Sequence, residues 1–261
     1  MDKLAIVIPA YNEERRIRRT LKKYSEFFNS LLRQKKLDYE ILVVINNTKD
    51  STEEIVKQCI KKDPKISCLN FIKGGKGFAV TEGFKYLVNR NFDYIGFVDA
   101  DMSTSPEAYY DLYLSIGKND GAIASRYIRG ATVNPKPKFR RILVSRVFNA
   151  FIRAILLFPY RDTQCGAKIF KRQVIASILP ILSFSKWAFD IDLIYSARKK
   201  GFSIIEVPSV WADEKYSTIN FMKAGPWMAL GVLRLRLINS PFRFLIRVYD
   251  KVLTRIWRLK I

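Results

Sequence analysis

The chain has 261 residues, 46 of them Lys or Arg against 24 Asp or Glu, for a formal net charge of +22 with no histidine. That length suits one large domain, or one domain with an appendage, and a composition 49% hydrophobic can bury a real core and argues against intrinsic disorder. The missing histidine excludes a Ser-His-Asp triad, a Cys-His pair and histidine-based zinc sites, so acid–base or metal chemistry must rest on carboxylates aided by Arg, Lys, Tyr or Ser.

Residues 4–8 form a short apolar run ending at Pro9 and read as a buried strand. Residues 12–32 follow as a helix and 40–45 as a second strand. Ser51-Thr52-Glu53-Glu54 has the spacing of a capping box and opens a helix to about residue 63. Residues 66–72 give a third strand, Gly74-Gly75-Lys76-Gly77 a glycine-rich turn, and a helix continues to about Asn89. Residues 94–98 are a fourth strand leading into Asp99-Ala100-Asp101. Ser105-Pro106 starts a helix with proline at its favoured first position, and 122–125 read as a fifth strand. Strands alternating with helices at this spacing indicate βαβ units and a mainly parallel sheet. Beyond Arg126 the pattern loosens. Pro135 and Pro137 mark a loop, 139–158 a basic apolar helix, 165–170 a strand, 190–200 a helix and 204–207 a strand. From Phe221 onward the chain reads as helical, broken near Pro241. The expected division is a catalytic body over 1–219 and an amphipathic basic segment over 220–261.

Residues 1–9 lack the basic region and long apolar core of a secretory signal. No uncharged apolar stretch has the roughly 18 residues of a membrane-spanning helix. The strongest candidate, residues 224–233, is stopped by Arg234. Cys59, Cys68 and Cys165 follow no disulfide or zinc spacing and imply a reducing compartment. The charge is localised: residues 126–173 hold twelve Lys/Arg and one acid, and residues 220–261 hold nine and one. Both segments are also rich in Leu, Ile, Phe and Trp, which favours a membrane surface over nucleic acid. From Pro241, Arg243, Arg247, Lys251 and Arg255 recur at a spacing of four, opposite Phe242, Leu245, Ile246, Tyr249, Val252, Leu253, Ile256 and Trp257. This is the pattern of an in-plane interfacial helix, or of a helix packed on the body or on a membrane-protein partner.

Asp99-Ala100-Asp101 follows a strand at the carboxyl edge where parallel sheets bind ligands. In an extended chain its carboxylates face one side and Ala100 the other, so two hard oxygen ligands can share Mg²⁺ or Mn²⁺ with a diphosphate. The alternative is a pair of solvated loop aspartates. Pro9-Ala10-Tyr11-Asn12-Glu13-Glu14 ends strand one beside the same edge. There Tyr11 can stack on a base and Glu13 can accept hydrogen bonds, or both acids simply serve a helix start.

Together with Ile6-Val7-Ile8, Gly75-Lys76-Gly77 and Ser125-Arg126-Tyr127, these segments resemble family 2 glycosyltransferases of the GT-A fold. The run Arg161-Asp162-Thr163-Gln164-Cys165-Gly166-Ala167-Lys168-Ile169-Phe170, joined to Trp187-Ala188-Phe189-Asp190-Ile191-Asp192-Leu193, looks most like the polyprenyl (dolichyl) phosphate sugar synthases, closer to the glucose than to the mannose enzymes. The resemblance covers about residues 3–240. It implies that Pro9, Ala10, Tyr11, Glu13, Asn46, Lys76, Asp99, Ala100 and Asp101 line a nucleotide-sugar pocket, with Asp99 and Asp101 on the metal. It implies further that Arg126, Arg141 and Ser145 grip an acceptor phosphate and that Asp162, Gln164 and Trp187 shape the acceptor side. Asp162, alone among twelve cations, has a structural salt bridge as its competing explanation. Two motifs depart from the family. Asn46 stands where a base-reading aspartate is common, and Phe189-Asp190-Ile191-Asp192 ends in Asp rather than Glu.

The implied reaction moves a hexose, glucose favoured, from a nucleotide sugar, UDP-glucose favoured, to a polyprenyl or dolichyl monophosphate on the cytoplasmic face of a membrane. A phosphate acceptor is already anionic and needs no strong base. Asp190 is then either a base or an acceptor for a sugar hydroxyl. Mannose or N-acetylhexosamine as the sugar, a saccharide acceptor, and a basic pseudoenzyme that binds membrane or nucleic acid are the competing readings.

Overall fold

The computed structural model describes residues 1–135, 139–182, 188–212 and 221–251, with the side chains of 140–141 and 221–224 left aside. A seven-stranded sheet has the order β3-β2-β1-β4-β7-β5-β8. Its strands are β1 (Lys3–Ala10), β2 (Asp38–Asn46), β3 (Ile66–Phe71), β4 (Tyr94–Val98), β5 (Gly121–Ser125), β7 (Ala167–Lys171) and β8 (Ile204–Pro208). All neighbours pair parallel except β7, which runs antiparallel to β4 and β5. β6 (Thr132–Val133) and β9 (Val210–Trp211) form a separate parallel pair that the sequence did not announce.

The sheet is buried on both faces, which is why its strands read as continuous apolar runs. Leu4, Ile6, Ile8 and Ala10 of β1 pack under α1 (Ile17–Arg33), α2 (Thr52–Ile60) and α4 (Pro106–Leu114). Ala5 and Val7 face the opposite core with α3 (Lys76–Val88), α6 (Arg172–Ile178) and α7 (Phe189–Lys199). α5 (Phe139–Leu156) and α8 (Phe221–Ile238) close that second core. They pack on each other, and Val232 and Leu235 of α8 are buried within it, so the helix that opens the C-terminal segment shares the core of the body.

Three features differ from the sequence expectation. α1 begins at Ile17, not Asn12, because Asn12 takes a positive φ of 53° and the amides of Arg16 and Ile17 turn back onto the Glu13 carbonyl. The capping box at Ser51 does not form. Its side chain makes no cap bond, and Asp50 Oδ1 instead accepts the Thr52 amide at 3.0 Å. The segment after Pro241 is not one continuous helix within the described residues: a single 3-10 turn, Arg243–Leu245, precedes helical residues 246–251. Arg255, Val252, Leu253, Ile256 and Trp257 lie outside the described residues. By contrast, Ser105 caps α4 as expected, its Oγ accepting the Ala108 amide at 3.2 Å.

The antiparallel insertion of β7 matters most for function. Val98 at the end of β4 pairs with Ala167 at the start of β7. The loop 162–166 therefore arrives at the same sheet edge as the Asp99 turn.

Candidate active site

The Asp99 segment is a turn, not the extended chain expected from its spacing: residues 100–101 turn and Met102 takes φ 63°. The turn is held from below. Thr20 Oγ1 of α1 donates to the Ala100 carbonyl at 2.6 Å, and Tyr24 Oη donates to the Thr104 carbonyl at 2.8 Å. Asp101 Oδ1 accepts the Ser103 amide at 2.9 Å. The Asp99 carboxyl is raised above the usual aspartate range, first by burial and then by the nearby Asp101 and Asp190 charges, against the lowering effect of Lys76.

Four charges alternate along the floor of this edge. Lys76 Nζ, on the first residue of α3, lies 2.8 Å from Asp99 Oδ1 and 3.5 Å from Asp190 Oδ2. Lys168 Nζ lies 2.7 Å from Asp190 Oδ1 and donates to the Cys165 carbonyl at 2.7 Å. Both ammonium groups sit 5.2 Å from the Phe97 ring centroid. Burial tends to raise Asp190, but the two lysines more than offset it and hold its carboxyl below the usual range.

The nucleotide-side candidates fall into two groups. Tyr11 is exposed and available for stacking, whereas Ala10 and Ala100 are buried and Pro9 half-buried, leaving mainly backbone to offer. Glu13 is tied to Arg16 by two bonds of 2.7 Å, with burial pushing its carboxyl up. Asn46 is a brace: Nδ2 donates to the Ala10 carbonyl at 3.0 Å and Oδ1 accepts the Gly75 amide at 3.0 Å. It thereby links the end of β1 to the glycine turn ahead of α3.

On the acceptor side, Arg126 and Asp162 form a bidentate pair at 2.7 and 3.0 Å, and Asp162 also accepts the Arg126 amide at 3.0 Å. Asp162 is fully buried, so the salt bridge weighed for it is present and orients Arg126. The Arg126 guanidinium lies 5.3 Å from the Trp211 ring. Ser145 Oγ accepts from Tyr127 Oη at 2.7 Å, while Gln164 is half-buried with its backbone N–H directed at Asp162 Oδ1, 3.4 Å away. The Arg141 side chain and all of Trp187 lie outside what the structure describes. Cys165 is buried, with its thiol pushed up to about 12 by burial, consistent with packing and not attack.

Two residues here went unnoticed in the sequence. Lys168 carried a signal, a lysine inside an apolar strand. Asn149 of α5 carried a weaker one: its buried amide accepts the Thr163 amide at 3.1 Å and ties α5 to the 162–166 loop.

Known proteins resemble this chain in sequence and in fold. A sequence model of the family described as Glycosyl transferase family 2 matches residues 5–179. A dolichyl-phosphate beta-glucosyltransferase of Dictyostelium discoideum is 31% identical over 94% of this chain and 76% of its own length. The Homo sapiens protein of that name is 28% identical over 92% and 77%. A polyprenol monophosphomannose synthase of Mycolicibacterium smegmatis is 28% identical over 80% and 77%. Among solved structures, glucosyl-3-phosphoglycerate synthase from Mycobacterium tuberculosis, in complex with Mn²⁺, uridine diphosphate and phosphoglyceric acid, superposes with a TM-score of 0.65 at 15% identity, over 90% of this chain and 78% of that one. The fold is that of the GT-A glycosyltransferases, and the chain belongs to glycosyl transferase family 2.

Proposed function

We propose that this protein transfers a hexose, glucose favoured, from a nucleoside-diphosphate sugar, UDP-glucose favoured, to the phosphate of a polyprenyl or dolichyl monophosphate at a membrane surface. The observation that carries the reading is the convergence, on one sheet edge, of the Asp99–Asp101 pair, Lys76 and the Arg126–Asp162 loop. The names of the relatives supply the substrate class: dolichyl-phosphate glucosylation in two and polyprenol-phosphate mannosylation in the third. That third relative makes mannose the second choice of sugar.

The residues present fit a divalent cation. Asp99 and Asp101 offer hard anionic oxygens, and the bare glycine backbone at residue 166 leaves room for the Asp99 carboxylate, since a Cβ there would come within 1.9 Å of Oδ2. Among the described residues no group of three or more His, Cys, Asp or Glu gathers to hold an ion. Asp99 and Asp101 would hold Mg²⁺ or Mn²⁺, which would neutralise charge on the leaving diphosphate.

The rest of the chemistry is positioning. Lys76 supplies a cation at the diphosphate, and Tyr11 a stacking face for the base. Arg126, held in plane by Asp162, presents its outer edge to the acceptor phosphate, and Ser145 and Arg141 are the further residues that the family resemblance assigns to that phosphate. A phosphate oxygen attacks the anomeric carbon as the bond to the diphosphate breaks, giving inversion, and no proton need be removed. Asp190, held below the usual range by two lysines, is a poor base and a good acceptor for a sugar hydroxyl.

We place the protein peripherally, on the cytoplasmic face of a membrane. Three free cysteines suit a reducing compartment. Among the described residues no helix is long and apolar enough to cross a membrane. α5 instead exposes Phe139, Leu143 and Val147. The deciding experiment offers radiolabelled nucleotide sugars, with Mg²⁺ or Mn²⁺, to the protein and a polyprenyl phosphate. Label from UDP-glucose should move to the organic phase. Label that stays aqueous with every donor would overturn the lipid-phosphate reading.

A further inference from the structure

Lys168 is a fully buried ammonium at the second position of β7, between buried Ala167 and buried Ile169 and Phe170. A charge in that position is strongly unfavourable unless paired, and an apolar pair of similar volume generally packs as well or better. Its bond to the Cys165 carbonyl, at 2.7 Å, needs a donor but gives no reason for a charge. The reason lies at the open end of its partner.

Asp190 divides its oxygens between two cations of different depth. Oδ1 points inward to Lys168 at 2.7 Å, and Oδ2 points outward to Lys76 at the looser distance of 3.5 Å. Side-chain exposure rises along the chain of charges, from 0% at Lys168 and 19% at Asp190 to 35% at both Lys76 and Asp99. The inner cation is therefore fixed and the outer one can be redirected. A nucleoside diphosphate entering at Asp99 competes for Lys76. When Lys76 turns to it, Asp190 loses its outer cation and Oδ2 opens to the site. Lys168 remains, and Asp190 also sits in the first turn of α7, where the helix terminus favours an anion.

We propose that Lys168 is a positioning residue of the transfer reaction: the permanent counter-ion of Asp190, which keeps Oδ2 aimed as an acceptor for a hydroxyl of the donor hexose while Lys76 serves the diphosphate. The inference rests on the hexosyltransfer reading above and adds to it the division of labour between the two lysines.

The test uses the full chain with Lys168→Met, Asp190→Asn and the double variant, and calorimetric titration of UDP and of UDP-glucose in Mn²⁺. The quantity read is the ratio of the two Kd values. Lys168→Met should weaken UDP-glucose by about tenfold, the loss expected for one charged hydrogen-bond partner, and leave UDP within about twofold. Asp190→Asn should do the same. The double variant should lose no more than either alone, because both act at one hydroxyl. Equal weakening of UDP and UDP-glucose, or additive losses in the double variant, would overturn the proposal, since a merely structural lysine predicts those results. If Lys168→Met does not fold, Lys168→Gln, which keeps a donor for the Cys165 carbonyl without the charge, is decisive: a ratio equal to that of the wild type overturns the proposal and a selective loss of UDP-glucose supports it. A wild-type protein that binds no nucleotide sugar sinks the hexosyltransfer reading and this inference with it. A wild-type protein that binds UDP-glucose, with a ratio unmoved in Lys168→Met, sinks this inference alone.

Discussion

Gly166 and Asp99 are in such close approach that a Cβ on residue 166 would lie 1.9 Å from Asp99 Oδ2 and 2.4 Å from Cγ. The Asp99 amide also donates to the Gly166 carbonyl at 3.0 Å. The contact follows from the register of β4 against β7, so the carboxylate cannot move aside without leaving its place at the site. Gly166→Ala should therefore expel Asp99 from its position while the sheet stays intact. Turnover should fall by about 10²-fold, the usual cost of misplacing a reacting-site group by an ångström. Far-UV circular dichroism should not change. Near-normal turnover of the alanine variant would remove this placement of Asp99 from the mechanism.

Asp101→Asn keeps the shape of the turn and the acceptor for the Ser103 amide, but removes one hard anionic ligand. Turnover should drop by about 10²–10³, comparable to removing one element that stabilises developing charge. The thermal midpoint in the absence of metal should hold. A variant that responds to Mg²⁺ or Mn²⁺ with wild-type activation would contradict the metal role.

Most strands of the main sheet, and the place of Asp99 and Asp101 at the end of one of them, were legible because their information is local, whereas the turn that Asp99 enters and the β6–β9 pair were not. Apolar runs such as 4–8 and 40–45 have no other good use than a doubly covered strand, and Ser105-Pro106 carries its own cap chemistry. The position of β7 was not legible. Its antiparallel insertion between β4 and β5 depends on pairings 45 to 77 residues apart, which no local period records. The same blindness hid the Lys168–Asp190 pair and the bonds by which Asn46 braces the backbones of Ala10 and Gly75. α6 escaped because a seven-residue helix with buried Val174, Ile175 and Ile178 is too short to show a helical period.

Asp162 is fully buried and carries the whole charge of Arg126's two-pronged contact. Asp162→Ala leaves a nearly buried guanidinium without its partner. Breaking such a pair from one side costs about 3–5 kcal/mol. Urea unfolding should show the free energy of unfolding lowered by that amount through a lower midpoint, with little change in slope. A loss below about 1 kcal/mol, the value of an exposed pair, would mean that water reaches Arg126 when Asp162 is gone.

Acid should weaken the fold through Asp63. Burial tends to raise its carboxyl, but bonds from Ser25, the Lys65 amide, Asn29 and Tyr39 hold it below the usual 3.8. A group depressed in the folded state stabilises the fold above its unfolded value, and that contribution is lost as pH falls through the folded one. Stability should thus decline on acidification below pH 3.8, and Asp63→Asn should flatten this part of the profile. An unchanged profile in Asp63→Asn would assign the decline to other carboxylates.

Phe139, Leu143 and Val147 recur every four residues on α5 and are 76%, 51% and 61% exposed. Arg146 and Arg153 are exposed on the same helix. A second exposed group, Phe242, Phe244, Leu245 and Val248, is tied to α8 by Tyr249 Oη donating to the Leu230 carbonyl at 2.7 Å and by the Arg234–Asp250 pair at 2.7 Å. α8 in turn packs on α5, so both patches rest on one support. Apolar side chains interleaved with cations match the depth of lipid headgroups, where an acceptor phosphate lies. Docking there should bring the lipid phosphate to the Arg126 edge of the site. Leu143→Glu with Val147→Glu places two acids in that stripe without touching the core. The double variant should lose tenfold or more in co-sedimentation with vesicles of anionic lipid, since burial of two apolar groups is replaced by repulsion of about 1 kcal/mol per charge. Added salt should weaken the wild type by removing the cationic share. Turnover on a short-chain, soluble acceptor should not change, because neither residue lies at the site. Sedimentation of the variant equal to that of the wild type would sink the membrane role of α5 and leave the stripe as a docking face for a protein partner.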